Sequence, residues 1–371
     1  MVLPFVTIPQ AAAWYDAWLR DAALPLWSTA GVDAASGLFQ EALTVDGAAY
    51  PAPRRFRVQA RQVFVFASAA RAGYGPQWLP VAVRGFEAFA PRYETGDGSF
   101  INRIAEDGTP VDRGVDIYEQ AFALLAMAAL HAGGAGIVGL EARAERTLAA
   151  LDDRRVAGGG YRESGAQPYQ ANCHMHLLES SLAWEDAGVS RWAALSDEIV
   201  ELALSRFIDS ESGVLREFFD ADWRALDGEG GLVEPGHHFE WAWLLERWAR
   251  ARGDAHARAA ALRLYDNGLR GVDTVRQVAM NALWEDFSIR DANARFWPQT
   301  EHLKAALSFG DEPQILRAAN GLAKYLMTPR SGAWRDKMQA DGGFIAEPSP
   351  ATSFYHALLA VLELRAYLQR P

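Results

Sequence analysis

Three histidines open apolar stretches of this chain: His176, His237 and His356. Imidazole titrates near neutrality, so each can take and give a proton at cellular pH. Two of them precede a glutamate by three residues, in His176-Leu-Leu-Glu179 and His237-His-Phe-Glu240. Residues three apart share a face of one helical turn, so each carboxylate can orient or polarise its imidazole. A third acid, Glu301, closes the segment Trp297-Pro-Gln-Thr-Glu301. Arg61 brings a fixed positive charge that suits a developing enolate oxygen. Two imidazoles on opposite sides of a sugar could move a proton between adjacent carbons. Helical phase turns His174 and His238 away from such a site, and both read as structural or supporting groups.

These groups recur at one interval. Arg61, Tyr118, His176, His237, Glu301 and His356 stand about 57, 58, 61, 64 and 55 residues apart, the length of a helical hairpin with its loops. Each opens a helix that is apolar nearly all round, hence buried. The spacing predicts inner helices over 55–71, 113–132 and 170–187, and others starting near Pro235, Pro298 and Thr352, the last running to the terminus. Outer helices are expected over 9–27, 77–91, 140–154, 190–207, 254–269 and 311–327, with Asp311 as an N-cap. A short hairpin fits 31–55, a short strand fits 215–220, and 280–287 reads as strand or helix. The whole chain, residues 1–371, is then one all-α domain of twelve alternating inner and outer helices. Its polar helix starts meet at one end of a ring.

Composition narrows the chemistry. The net charge of −11 disfavours nucleic acid and anionic membrane surfaces as partners, and argues mildly against an anionic substrate unless arginines cluster in the pocket. The single cysteine, Cys173, rules out an internal disulfide. The amino terminus lacks the basic and apolar regions of a secretion signal, and no apolar run is long enough to span a membrane. The expectation is a cytoplasmic protein, monomer or homo-oligomer. Thirteen tryptophans suit both a large helical core and sugar stacking. No dinucleotide or phosphate-loop motif is present, so no cofactor is expected.

Three other chemistries compete. Carboxylate metal sites in helix bundles use Glu-x-x-His, the reverse of the order here, and no His or Cys cluster accompanies it, so no metal is expected. A glycosidase would need paired carboxylates, with Asp97, Asp116 and Glu217 available, but would not call for three convergent histidines. A non-catalytic sugar-binding protein would tolerate loss of the histidines.

At Asn172-Cys-His-Met-His-Leu-Leu-Glu179, Pro235-Gly-His-His-Phe-Glu-Trp-Ala-Trp-Leu-Leu245, Trp297-Pro-Gln-Thr-Glu301 and Tyr355-His356, the sequence resembles the N-acylglucosamine 2-epimerase superfamily. Arg61 matches the arginine of its first inner helix. The resemblance spans nearly the whole chain and implies an (α/α)6 barrel. It implies metal-independent proton transfer through a cis-enediolate on a small-molecule sugar, with His237 and His356 as the acid/base pair. Arg61, Asn172, His176 and Glu240 become substrate-binding or ring-opening groups, and Trp297 lies near the sugar. Glu301 and Tyr118 join them as binding candidates from their place in the repeat. The tryptophan that epimerases carry before the last histidine is replaced here by Ala351-Thr-Ser-Phe-Tyr355. That difference favours an aldose–ketose isomerase, interconverting mannose and fructose, over a 2-epimerase. An isomerase of a phosphorylated or sulfonated sugar is a further alternative.

Overall fold

The computed structural model describes residues 4–226 and 231–370. Among them the chain forms twelve helices. The odd-numbered ones are outer: α1 (Ile8–Trp18 and Leu24–Thr29), α3 (Trp78–Tyr93), α5 (Leu140–Ala149), α7 (Ala193–Leu202), α9 (Ala255–Leu269) and α11 (Glu312–Leu326). The even-numbered ones are inner: α2 (Phe56–Arg71), α4 (Ile117–Ala132), α6 (Ala171–Asp186), α8 (Pro235–Arg252), α10 (Phe296–Phe309) and α12 (Phe354–Tyr367). Each inner helix packs on the next, and α12 returns to α2, so the ring closes. The inner helices are apolar on nearly every side because one face meets the axis and the other meets an outer helix. Among the described residues no helix is long and apolar enough to cross a membrane.

The expected alternation holds, with local differences. α1 is interrupted by a π-helical turn, Leu19–Ala23. Pro25 lacks the N–H that would bond the Asp21 carbonyl, and the wider turn absorbs the gap. α4 starts at Ile117 rather than near Arg113, because Pro110–Asp112 is drawn into a strand against Arg103–Ile104. α5 ends at Ala149, and a separate 3₁₀ turn holds Asp152–Arg154. α12 starts at Phe354, after a 3₁₀ turn at Ala351–Ser353, and ends at Tyr367. The ambiguous 280–287 segment is a strand and turn, with Ala282–Trp284 paired to Ile289–Asp291. Ala42–Leu43 pairs with Ala49–Tyr50, the expected hairpin, and also with Ser349–Pro350, which ties the first repeat to the last.

One clasp recurs where a strand precedes an inner helix. Gln59 accepts from Phe39 N at 2.8 Å and donates to Phe39 O at 2.8 Å. Gln120 does the same to Phe100, and Gln299 to Ala279. In α6 and α8 a histidine takes this place. His174 Nε2 accepts Tyr161 N–H at 2.9 Å, and His238 Nε2 accepts Leu215 N–H at 3.1 Å. Their Nδ1–H groups donate back to Gln170 O and Glu234 O. Both rings are therefore neutral, and burial holds both near pKa 4. The supporting role expected of His174 and His238 is this clasp.

Candidate active site

The clasps set the register of the inner helices. Two residues beyond each clasp stand Arg61, Phe122, His176, Glu240 and Glu301. Four of them meet around the axis. The Arg61 guanidinium lies 3.9 Å from the Phe122 ring centre, Phe122 lies 4.6 Å from the His176 ring, and His176 Nδ1 lies 4.0 Å from Glu240 Oε1. Tyr355 of α12 completes this layer, 4.4 Å from Arg61 and with its hydroxyl 3.4 Å from Glu240. Tyr118 and His237, used above to mark the period, stand one turn nearer the helix starts. The six marker residues thus belong to two successive layers rather than one.

Above this layer the helix starts enclose a cavity of about 660 Å³, within the range of small-molecule sites. Arg61, Tyr118, Asn172, His176, His237, Glu240, Trp297 and His356 all line it. Of the predicted site residues only Glu301 does not; it is fully buried beneath His356. Trp297 faces both outer histidines, with ring centres 5.3 Å from His237 and 5.6 Å from His356. Gly236 makes room for it: a Cβ there would meet the indole at 2.6 Å. The Asn172 Oδ1 is buried without a protein partner, which suits it to a sugar hydroxyl.

His237 and His356 sit in opposite electrostatic settings. His237 Nδ1 lies 2.9 Å from Glu217 Oε1 and 2.9 Å from Glu234 Oε2. Burial opposes its charge, but the two carboxylates outweigh burial and hold the imidazole well above its usual pKa. His356 Nδ1 lies 2.8 Å from Glu301 Oε1. Burial, with the charges of Arg61 and Lys304, pushes this ring well below its usual pKa. The surroundings of His237 thus favour its cation and those of His356 its neutral form. His176 Nδ1 donates to Glu179 Oε2 at 3.1 Å, and burial lowers its pKa to about 4.

Arg61 is buried. It donates to the Tyr118 hydroxyl at 2.8 Å, to Thr352 O at 3.1 Å and to the Thr352 hydroxyl. Glu240 is pushed well above the carboxylate range, first by burial and then by Glu301 and Glu179 beside it. It can therefore present a proton rather than a charge. Beneath the layer Lys304 is fully buried, with Nζ 2.6 Å from Glu301 Oε2.

Several participants were not read from the sequence. Glu234 and Lys304 stand three residues from His237 and Glu301, a spacing that could have found them; Thr352 and Tyr355 carry no spacing signal, and Glu217 appears above only as a possible glycosidase carboxylate. The cavity is also richer in arginine than the net charge suggests, since Arg55, Arg57 and Arg295 line it with Arg61. Arg57 is held by Glu119 at 2.6 Å, Arg55 by Glu41, and Arg295 lies 3.6 Å from Glu234.

Among the described residues, three groups of acids and histidines are close enough to share an ion: His176, Glu179 and Glu240; Glu217, Glu234 and His237; and Glu240, Glu301 and His356. Each already has an internal account. The His176 and His237 nitrogens donate to carboxylates, and Lys304 stands against Glu301 where a cation would otherwise sit.

Comparison with known proteins agrees with this geometry. The family model of N-acylglucosamine 2-epimerase (GlcNAc 2-epimerase) matches residues 37–360. A Rhizobium meliloti (strain 1021) protein named mannose-6-phosphate isomerase is 45% identical over 372 residues, covering 95% of this chain and 96% of that one. The cellobiose 2-epimerase of Spirochaeta thermophila superposes with a TM-score of 0.86 at 24% identity, over 98% of this chain and 97% of that one. A D-mannose isomerase structure does so with 0.85 at 20% identity, over 95% and 97%. The closed ring of helical hairpins, the paired histidines over one tryptophan and the match over residues 37–360 make this chain an enzyme of the N-acylglucosamine 2-epimerase family.

Proposed function

We propose that the enzyme is an aldose–ketose isomerase that interconverts a mannose-configured aldose and its ketose. One observation carries the reading: His237 and His356 share Trp297, and their surroundings push the two imidazoles in opposite directions, two carboxylates raising His237 and burial beside Arg61 and Lys304 lowering His356. After ring opening, neutral His356 takes the C2 proton through Nε2. The His237 imidazolium gives a proton to O1 as the C2 proton leaves, so the intermediate is a neutral cis-enediol, and Arg61 stabilises the negative charge that develops on oxygen in the transition state. His356 then returns its proton to C1 while His237 recovers one from O2. Proton count and charge balance, and no metal or cofactor enters the sequence. Return of a proton to the other face of C2 would give an epimer instead. Thr352, whose hydroxyl is engaged with Arg61, stands in the segment where epimerases place a tryptophan, which favours the ketose.

A second reading adds a phosphate to the same sugar. It is favoured by the lining of Arg55, Arg57 and Arg295, and by the name of the 45% identical relative. Measuring kcat/KM for mannose and for mannose 6-phosphate decides between the two. A preference of tenfold or more identifies the substrate class. The shared chemistry predicts that His237→Ala and His356→Ala each lose about 10²–10⁴-fold in kcat on the better substrate. Retention of kcat within tenfold in either variant refutes the acid/base assignment.

A further inference from the structure

Lys304 is a fully buried cation at the heart of the barrel that the reaction above does not use. It is fully buried and does not line the cavity, so it cannot touch the sugar. Its ammonium lies 2.6 Å from Glu301 Oε2 and 3.7 Å over the Trp243 ring. Burying an ammonium in such surroundings is costly unless it is paired. The other oxygen of the same carboxylate, Oε1, lies 2.8 Å from His356 Nδ1. Lys304, Glu301 and His356 therefore form one line, from the apolar floor to the cavity.

Charge counting explains why the lysine is there. Of the buried acids here, Glu240 is held towards its protonated form, so Glu179 and Glu301 are the carboxylates that face the cations Arg61 and Lys304; burial pushes the Glu301 carboxyl up, and Lys304 opposes that shift. Arg61 is engaged by Tyr118 and Thr352. Lys304 is the cation in direct contact with Glu301. An ionised carboxylate only accepts hydrogen bonds. Against it, His356 must carry its hydrogen on Nδ1 and present a lone pair on Nε2. A protonated Glu301 could donate instead, and the ring would then show the cavity an N–H that cannot take a proton.

We propose that Lys304 is a positioning residue for proton transfer: it keeps Glu301 a carboxylate, which holds His356 as the Nδ1–H tautomer with Nε2 free. The groups facing this pair from the neighbouring helices are Arg61 of α2, His176 and Glu179 of α6, Glu240 of α8, and Tyr355 beside His356. The proposal rests on His356 acting as the base.

The test is a double-mutant cycle of Lys304→Met and Glu301→Gln, read by kinetics and by NMR of ¹⁵N-histidine-labelled protein. Lys304→Met should lower kcat by about 100-fold, with KM within about threefold, as expected for a lost proton-transfer group. The acid limb of its kcat/KM profile should move to higher pH, because a cation beside the base has gone. Adding Lys304→Met to Glu301→Gln should cost less than threefold more, since the lysine acts through that carboxylate. The proposal is overturned if Lys304→Met keeps kcat within threefold with an unmoved acid limb, or if its loss multiplies in the double variant. The NMR arm needs no turnover. Wild-type His356 should show the Nδ1–H tautomer, and an Nε2–H tautomer overturns the relay even if Lys304→Met fails to fold. If the wild type turns over neither mannose nor its 6-phosphate, the functional reading fails while the tautomer still decides the relay.

Discussion

Glu301 and His356 meet across two neighbouring inner helices, with Oε1 2.8 Å from Nδ1, although 55 residues separate them in the chain. The equivalent support for His237 comes from elsewhere, from Glu217 and Glu234. Two imidazoles of one cavity thus lean on different carboxylates, and the surroundings of each decide its charge.

The pH–rate profile follows from that difference. His356 must be neutral to accept a proton, so activity falls only as pH drops through its lowered pKa. His237 must be charged, so activity falls only as pH rises through its raised pKa. Both limbs of kcat/KM should lie outside the ordinary imidazole range, leaving a plateau around pH 6.5. A limb centred near 6.5 on either side would contradict the assignment.

Acid stability should be governed by the neutral buried histidines. His174, His176 and His238 have pKa values of about 4 in the fold, against 6.5 unperturbed. A lowered pKa means that the unfolded chain binds the proton first. The stability these rings contribute is whole above pH 6.5 and is lost as pH falls towards 4, by up to about 1.4 kcal/mol per pH unit for each ring. His237, with its raised pKa, acts in the opposite sense at higher pH. His238→Gln should make the decline of Tm between pH 6.5 and 4 shallower, because glutamine forms the same clasp at position 59 and does not titrate. An unchanged slope would remove His238 from the account.

Gly236→Ala tests the seat of Trp297. Its Cβ would meet the indole at 2.6 Å, so the ring must shift. A shift approaching 1 Å in a group that positions substrate costs about 100-fold in kcat/KM. Activity within twofold of wild type would show that Trp297 has no positioning role.

Metal removal should change nothing. Dialysis against EDTA is expected to leave kcat unaltered, since imidazoles, Arg61 and Lys304 supply the charges needed. Loss of activity restored by Mn²⁺ or Zn²⁺ would mean that one of the three acid–histidine groups holds an ion.

The fold was legible because its signal is periodic: six buried helices, each opened by a polar group, at hairpin intervals. The site was legible at residues that sit on helix starts. His176 and Glu179 pair as their spacing suggests, at 3.1 Å. His237 and Glu240 do not pair, although their spacing is the same. Side chains on a helix lean towards its amino end, so His237 reaches back to Glu234 and to Glu217, just before the strand Phe218–Phe219. Glu240 faces the layer below. Lys304 stands three residues after Glu301, a legible ion-pair spacing, but the pair acquires meaning only when His356 arrives from another repeat. The register was misread by one turn at Tyr118 and His237 because polar residues, rather than the Gln and His clasps, were used to mark it.

The most direct test of the central claim is conversion of mannose, and of mannose 6-phosphate, by pure enzyme in D₂O, with the products followed by NMR. The account predicts the corresponding ketose, carrying solvent deuterium at C1, because the C2 proton passes through His356 and can exchange before its return. A ketose that gains no solvent deuterium at C1 even after many turnovers, or the C2 epimer as the main product, would contradict it.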